Sequence, residues 1–221
     1  AICNDVLKSG DVPAYSMVPG VIYDDEGVPF NQQSGDYGIP TDLSKLEEAK
    51  QLLADAGYPD GEGFPEFEIL YNTNESNKAV CEALQQMWSE NLGVTCTLVN
   101  MESAVFHQTR VAHDFQVCRG GWVGDYADPL THLELYVTDN PSNYAGFSDE
   151  TYDSLIAEAS ELSGAERFDK FYEAEKILME SYAYMPISYE TDTTLVNNDK
   201  IVDWEWLSTS SPSFVYADVI Q

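Results

Sequence analysis

The sequence predicts an α/β fold in which a mixed, mostly parallel sheet is flanked by helices. First, segments with strand character and segments with helical periodicity alternate between residues 67 and 118, at the spacing of right-handed βαβ crossovers. Second, the 221 residues are 43% hydrophobic, which is enough apolar material for a substantial core. Third, charged residues make up 22% of the chain, as in ordinary globular domains, so disorder is not indicated.

The chain begins with loops and then a helix. Residues 1–40 are rich in Pro, Gly, Tyr and Asn, which predicts an ordered loop region with little helix beyond its start. A helix is then predicted from an N-cap at Thr41 or Asp42 to Ala56, with Gly57 ending it. The apolar face of this helix would consist of Leu43, Leu46, Ala49, Leu52, Leu53 and Ala56.

The alternating segment supplies the predicted sheet. Its elements in order are a strand at 67–71, a helix at 76–91, a strand at 94–100, a helix at 102–110 and a strand at 114–118. The first of these helices would turn one apolar face inward: Val80, Ala83, Leu84, Met87 and Trp88. Ligands of open α/β sheets bind beyond the carboxyl ends of the strands, so the loop after the third strand is where a site is expected.

The remainder is predicted to be mainly helical, with short strands at the end. The predicted elements are a helix near 129–136, a linker at 140–148, helices at 149–162 and 165–182, and strands at 185–189, 193–197 and 214–220. The last strand is expected either to return to the sheet or to pair with a segment outside this chain.

The charge of the chain excludes several partners. Ten Lys and Arg residues oppose 39 Asp and Glu residues, a net charge of −29. Such a surface repels phosphate backbones and anionic lipid heads, so no nucleic-acid partner is predicted. No apolar run approaches the ~20 residues of a membrane-spanning helix. Because the chain begins Ala-Ile-Cys-Asn, without an initiator Met, we expect it to be part of a longer protein.

The cysteines and histidines do not suggest a metal site. None of the four cysteines forms a C-x-x-C pair, and the three histidines do not cluster with them, so neither a metal nor another cofactor is predicted. Cys81 and Cys96 lie within apolar patterns and are predicted to be buried thiols.

Residues 118–129 read CRGGWVGDYADP and stand out by their mixture of charges, aromatic rings and glycines. Asp125 and Asp128 could form an acid/base pair, but D-x-x-D is common in loops, and Asp128 before Pro129 suits the cap of the following helix. A calcium loop would need alternating acids and a distal Glu, which are missing. Nucleophile elbows and phosphate-binding loops are also absent as patterns.

A ligand clamp is the other functional interpretation of the same loop. Arg119 offers a fork for a carboxylate, and Asp125 offers an acceptor for an ammonium group. Trp122 and Tyr126 offer flat walls with polar tips. A ligand with a free amine and a free carboxylate, such as a short peptide, would suit this set. A purely structural alternative remains open, in which an Arg119–Asp125 ion pair locks a tight loop and Trp122 belongs to the core.

Several stretches resemble, in order and spacing, the second lobe of the oligopeptide-binding proteins of bacterial ABC importers, which are extracellular solute-binding proteins of the peptide/nickel class. They are AGYPDGEGFPEFEILYNTNESNKAVCEALQQMWSENLGV, DFQVCRGGWVGDYADPLTHL, NYAGFSDETYDSLIAEA and ERFDKFYEAEKILMESYAYMPISY. The opening AICNDVLKSGDVPAYSMVPG and the closing FVYADVI also resemble the corresponding segments of the family. The likeness extends over essentially all of residues 1–221.

The resemblance implies a periplasmic-binding-protein type II-like fold, in which two α/β lobes close on a ligand about a hinge. The whole chain would be the second ligand-binding lobe, and the first lobe would lie outside it. Within this lobe we expect an irregular opening segment at 1–40, a βαβ core carrying the site loop at 41–147, and a helical pair with return strands at 148–221.

The resemblance also assigns roles to site residues. Asp125, in the GDY motif, would receive the peptide α-ammonium, and Arg119 would receive the carboxylate of short peptides. Trp122 would line a side-chain pocket, and Asn72, at the end of a strand, would face the cleft.

Two positions depart from the pattern of some members. Asn77 stands where a His helps to hold the carboxylate, so the resemblance does not set the peptide length. Val123 stands where a disulfide-bonded Cys follows the Trp, so that bridge is not expected here.

The implied function is therefore that of a solute-binding component which captures short peptides between two lobes and delivers them to the permease subunits of an ABC transporter. The protein would be extracytoplasmic, as a cell-surface lipoprotein or in the periplasm, monomeric and not an enzyme. Two alternatives are kept: the same fold binding a nickel chelate, haem or saccharide, and a hydrolase using Asp125 and Asp128.

Overall fold

The fold is described by a computed structural model that covers residues 1–40, 42–206 and 212–220. Its helices are α1 (Phe30–Ser34), α2 (Leu46–Asp55), α3 (Glu75–Leu92), α4 (Ser103–Val111), α5 (Leu130–Leu133), α6 (Glu150–Glu161) and α7 (Ala165–Glu180), with a π-helical turn at Ile2–Leu7 and 3₁₀ turns at Pro59–Gly61 and Glu134–Tyr136. Its strands are β1 (Val12–Pro13), β2 (Phe67–Asn72), β3 (Cys96–Met101), β4 (Val117–Cys118), β5 (Ser188–Tyr189), β6 (Ile201–Val202), β7 (Glu205–Trp206), β8 (Pro212–Ser213) and β9 (Asp218–Val219).

The predicted βαβ units are confirmed. Strands β2, β3 and β4 form one parallel sheet in the order β3-β2-β4, with α3 and α4 as the crossovers. The central strand β2 buries Ile69, Leu70 and Tyr71. The other strands pair antiparallel in separate two-stranded ribbons: β1 with β5, β6 with β9 and β7 with β8. The predicted fold class, α/β with a parallel sheet and helices, is therefore correct.

Helix α3 shows how the sequence sets the ends of one crossover. Asn74 caps its start, because its side-chain oxygen accepts the N–H groups of Ser76 and Asn77 at 2.8 and 3.2 Å. Gly93 ends it in the left-handed conformation, at φ 67°. A Cβ at Gly93 would collide with the carbonyl oxygen of Asp60, so glycine is required there both by conformation and by space. The residues predicted to face inward on this helix are half-buried, and only Cys81 is fully buried.

The main core lies between the helices of the second half and the opening segment. Tyr152 of α6 and Phe171 and Leu178 of α7 are fully inaccessible to solvent, and so are Val18 and Phe30 from the first forty residues. The opening segment, although mostly irregular, therefore packs into the core beneath α7.

The helix predicted to begin at Thr41 or Asp42 is shorter than expected. Thr41 lies outside the described residues, and Asp42 accepts the N–H of Ser44 in a turn before α2 rather than capping the helix. The predicted apolar face is not packed away: α2 has no fully buried residue, and Leu43 and Leu52 are exposed. Leucine spacing gave the helical period correctly, but the face is only partly covered: Leu46, Ala49 and Leu53 are half-buried against neighbours that include the Pro59–Gly61 turn and α3.

The predicted strands near the C-terminus are also corrected. Only Ser188–Tyr189 of the 185–189 segment is a strand, and residues 193–197 form none because Leu195 and its neighbours find no partner strand in the described chain. The predicted strand at 214–220 is reduced to β9, which pairs with β6 and does not join the parallel sheet. No helix among the described residues has both the length and the apolar character needed to cross a membrane.

Candidate functional site

The CRGGWVGDYADP loop leaves the carboxyl end of the parallel sheet, as predicted. The N–H of Arg119 donates to the carbonyl of Leu70 at 2.8 Å, which continues the pairing of β4 with β2 into the loop. Asn72 ends β2 on the same edge of the sheet. The topology therefore brings the start of the loop and Asn72 to one edge, where an open α/β sheet binds its ligands.

Asp125 has a fixed backbone and a free carboxylate. Its N–H donates to the hydroxyl of the buried Thr131 at 3.0 Å, which holds this part of the loop against the first turn of α5. Its side chain is exposed, and within the described residues its carboxylate accepts no hydrogen bond and forms no ion pair. An anchored acid without an internal partner is available to a cationic ligand.

Asp128, by contrast, is fully engaged by the protein. Its two oxygens accept the two terminal nitrogens of Arg167 of α7 at 2.6 and 2.8 Å, and one oxygen also accepts the N–H of Leu130 at 3.0 Å. The Arg167 guanidinium also lies 4.6 Å from the Phe171 ring centroid. Asp128 directly precedes Pro129, the N-cap of α5, so its role is to accept a hydrogen bond from the first turn and to form a bidentate ion pair rather than to be the cap residue itself. An acid/base pair of Asp125 and Asp128 is disfavoured because one of its members is neutralised.

Arg119 forms an ion pair with Glu190 rather than with Asp125. Its Nη2 lies 3.0 Å from Oε1 of Glu190, which directly follows β5. The guanidinium folds back over its own loop, since a Cβ built on Gly121 would lie 3.2 Å from both of its terminal nitrogens. The alternative in which an Arg119–Asp125 ion pair locks the loop is therefore not the arrangement found.

The aromatic and apolar side chains of the loop face solvent. Trp122 and Tyr126 are each 40% exposed and Val123 is 72% exposed, so Trp122 is not part of the core. The Tyr126 hydroxyl donates to Glu134 at 2.8 Å. Burial and this neighbouring carboxylate raise the pKa of Tyr126 above its ordinary value, so the phenol stays protonated at neutral pH.

Asn72 and Asn77 are held together at the edge of the sheet. The side-chain amide of Asn77 donates to the side-chain oxygen of Asn72 at 2.9 Å. Both residues are half-buried. The pair combines a strand end with the first turn of α3, and it leaves the Asn72 amide nitrogen as a donor for a carbonyl or carboxylate.

Sequence reasoning missed several residues that support the loop. Glu190 and Glu134 contact Arg119 and Tyr126, while Thr131 and His132 lie beneath Gly124. His132 is buried, and the loss of solvation lowers its pKa to about 4, so its ring is neutral. No local signal exists for Glu190, which is 71 residues from Arg119.

The described residues also bear on the metal and cysteine predictions. Cys81 and Cys96 are buried free thiols, as predicted, and desolvation raises the pKa of both. In the described part of the chain no three His, Cys, Asp or Glu residues are grouped as a metal ion would require.

A parallel sheet with an exposed, mixed-charge loop at its carboxyl edge defines this chain as part of an α/β ligand-binding protein. The chain belongs to the bacterial extracellular solute-binding proteins of family 5: the model described as "Bacterial extracellular solute-binding proteins, family 5 Middle" matches residues 1–144. The family resemblance and its fold are therefore confirmed.

Three relatives illustrate this membership. The periplasmic oligopeptide-binding protein OppA of Salmonella typhimurium is 32% identical over 201 residues, which are 88% of this chain and 35% of OppA. The periplasmic murein peptide-binding protein MppA of Escherichia coli is 36% identical over 195 residues, or 86% of this chain and 35% of MppA. The structure of Haemophilus influenzae OppA in complex with RPPGFSPFR has a TM-score of 0.75 at 33% identity and covers 85% of this chain and 36% of that one. The chain thus spans about a third of the length of these relatives.

Proposed function

We propose that this chain is the second ligand-binding lobe of a peptide-binding protein that closes, together with a first lobe, on short peptides. The captured peptide is delivered to the permease subunits of an ABC transporter. The protein acts outside the cytoplasm as a monomer, anchored by a lipid or free in the periplasm. Its chemistry is binding, not catalysis, and it uses neither a cofactor nor a metal.

The observation that carries this proposal is the state of Asp125. Its carboxylate is exposed at the carboxyl edge of the sheet, its backbone is fixed by Thr131, and no described residue neutralises it. An ammonium group is the natural partner for such an acid, and the free α-amine of a peptide provides one. The relatives described as peptide-binding proteins support a peptide as its source.

The other site residues have complementary roles in this proposal. Trp122 and Tyr126 form flat walls for peptide side chains, and Val123 lies between them at the rim. Asn72 and Asn77 present amide groups to the peptide at the edge of the sheet. Backbone groups would pair with the extended peptide much as an added strand does, which tolerates many sequences.

Binding is favoured over hydrolysis by the unequal fates of the two acids. Hydrolysis by Asp125 and Asp128 would need both of them to take part in proton transfer, one as the acid and the other as the base. Both oxygens of Asp128 are occupied by Arg167, and Leu130 donates to one of them as well. A single free carboxylate suits an electrostatic anchor for a cation.

The proposal is tested by replacing Asp125 with Asn in the complete two-lobe protein. Asp125→Asn keeps the side-chain size and removes the charge, so the affinity for tri- to pentapeptides with a free amine should fall at least tenfold, which is about 1.4 kcal/mol. Titration calorimetry measures this change. N-acetylated versions of the same peptides should bind weakly to the wild type, and their affinity should not change in the variant.

A matched control is Asp139→Asn. Asp139 is an exposed acid with a left-handed backbone, which Asn tolerates, and no described residue pairs with its side chain. It makes the same change in net charge away from the loop and should leave affinity unchanged. An Asp125→Asn variant that binds free and acetylated peptides as the wild type does would rule out the assigned amine site.

A further inference from the structure

The guanidinium assigned to the ligand carboxylate already holds a carboxylate of the protein. Nη2 of Arg119 contacts Oε1 of Glu190 at 3.0 Å, and no second contact between the two side chains is formed. A peptide carboxylate that approaches Arg119 would therefore meet Glu190 in place. Glu190 therefore competes with the peptide carboxylate that the resemblance assigns to Arg119.

Glu190 is held in position from both sides. The preceding residue, Tyr189, belongs to β5, and its hydroxyl lies 2.6 Å from the hydroxyl of the buried Ser16. The following residue, Thr191, donates its N–H to Asp11 at 3.0 Å. Both partners lie in the opening segment, so the backbone around Glu190 is tied to it on both sides. The fold thus fixes the point at which the Glu190 side chain leaves the backbone, close to Arg119.

Neither the other acids near the loop nor Arg167 offsets Glu190. Asp125 and Glu134 are acidic as well, and the positive charge of Arg167 is already paired with Asp128. Arg110, the other guanidinium beside the loop, keeps its positive charge but is stacked 4.0 Å from the centroid of the Tyr144 ring and forms no ion pair with Glu190.

We propose that Glu190 is a specificity-determining residue that selects against peptides placing a free carboxylate beside Arg119. The preferred ligands are peptides that present a neutral or cationic group at this position, either because the chain continues past it or because a basic side chain occupies it. This inference rests on the proposed peptide-binding function and names the class of peptide that the site takes.

Closure of the cleft makes the selection effective. In this lobe alone the Glu190 side chain is 70% exposed, so its pairing with Arg119 contributes little on its own. When the first lobe closes over it and water is excluded, charges interact more strongly because the local dielectric falls. A peptide carboxylate must then displace Glu190 or remain beside a like charge, whereas an amide or a basic group meets no such repulsion.

The test compares peptide acids with peptide amides in the complete two-lobe protein. Tri- to pentapeptides are prepared in pairs that differ only in a free or an amidated C-terminus, and each pair is titrated against the wild type and Glu190→Gln. We expect the variant to gain about tenfold in affinity for the peptide acids whose carboxylate reaches Arg119. The matching amides should change less than twofold. Thermal unfolding of each variant checks that the fold is retained.

The control is Glu47→Gln, which removes one carboxylate from the exposed Lys50–Glu47 pair of α2 and makes the same change in net charge. It should alter neither acids nor amides. Equal gains in affinity for peptide acids and amides would overturn this inference. A loss of affinity for the acids would also overturn it, because Glu190 would then merely position Arg119. In either case, Asp125-dependent binding would continue to support the proposed function. Peptide binding that is absent from the wild type overturns both.

Discussion

Two parts of this chain differ in how much apolar surface they bury: the helical part, made of α5, α6 and α7, and the sheet part, made of β2, β3, β4 and helices α2, α3 and α4. The helical part, with the opening segment, has a core of fourteen buried residues, including the fully inaccessible Tyr152, Phe171 and Leu178. The sheet part has a cluster of four: Ile69, Tyr71, Cys81 and Cys96. The strands of the sheet carry the candidate site, but most of the stabilising apolar burial lies under the helices.

The sheet part also leaves apolar surface uncovered. A groove of about 420 Å³ opens between α2, α3 and the amino ends of the strands; it is lined by Leu53, Phe64, Phe67, Trp88, Leu92 and Val117, among others. These side chains sit at the edge opposite the site loop. Because α3 borders this open groove with Trp88 and Leu92, its inner face is only half-buried although its apolar spacing is regular.

The site loop connects the two parts and is fixed to both. At its start, the N–H of Arg119 continues the sheet by donating to Leu70. At its end, Asp128 is held by Arg167 of α7, within the helical part. The section between these anchors, which contains Asp125, makes few contacts. This arrangement leaves the middle of the loop accessible while its two ends are bonded to the rest of the chain.

The largest difference between the two parts should appear in matched leucine truncations. Leu178→Ala removes a fully buried side chain from the helical core, so it should lower the free energy of unfolding by about 3–5 kcal/mol. Leu98→Ala in β3 removes a half-buried side chain and should cost only about 1–2 kcal/mol. Urea unfolding of this chain measures both. Equal costs would mean that the sheet part is as tightly packed as the helices.

The next effect is a loss of stability in acid caused by His132. Desolvation lowers the folded-state pKa of His132 from 6.5 to about 4. The unfolded chain therefore binds more protons than the folded chain between these values, and stability must fall as the pH drops from about 6.5 to 4. The shift corresponds to roughly 2–4 kcal/mol.

His132→Gln removes this titration while keeping a polar side chain of similar size. The free energies of unfolding of the wild type and the variant are measured between pH 7.5 and 4. Because the carboxylates titrate in both proteins, the difference between the two curves reports His132 alone. The wild type should lose more stability than the variant over that range. Parallel curves would show that His132 is not buried as a neutral ring.

The elements that were predicted well are those whose signals are local. Strands β2 and β3 and helices α3, α4, α6 and α7 follow from apolar periodicity and from caps such as Asn74 and Gly93. The position of the loop at the carboxyl edge followed from the order of these elements alone. The parallel pairing, and hence the position of the candidate loop, could therefore be predicted from sequence.

The parts that were not predicted depend on contacts between distant residues. Arg167 is 39 residues from Asp128, and Glu190 is 71 residues from Arg119. Glu175 is a similar case: it is completely buried in α7, accepts the N–H of Val18 at 2.8 Å and the hydroxyl of Tyr37 at 2.7 Å, and has a raised pKa because burial disfavours its charge. A glutamate on an amphipathic helix gives no local sign of such a role.

A smaller effect should separate the two acids of the loop. Asp128→Asn keeps an oxygen for the N–H of Leu130 but leaves the partly buried Arg167 without its counter-charge, so stability should fall by about 1–3 kcal/mol. Asp125→Asn removes a charge without a described partner, and stability should stay within ~0.5 kcal/mol. Urea unfolding of the two variants tests whether the helical part anchors the loop. A larger loss for Asp125→Asn would reverse the assignment.

The smallest effect is expected on α2, where the apolar pattern and the observed burial disagree. Leu52 has the spacing of a core residue, yet it is 64% exposed. Leu52→Gln should therefore change the free energy of unfolding by no more than ~0.5 kcal/mol, because little apolar area returns to water. The matched control is Leu155→Gln on α6, which introduces an amide into the buried core and should cost several times more. A loss of unfolding free energy as large as that of the control would mean that another segment of the protein covers α2 in solution. The sheet part would then be better packed than its half-buried helices indicate.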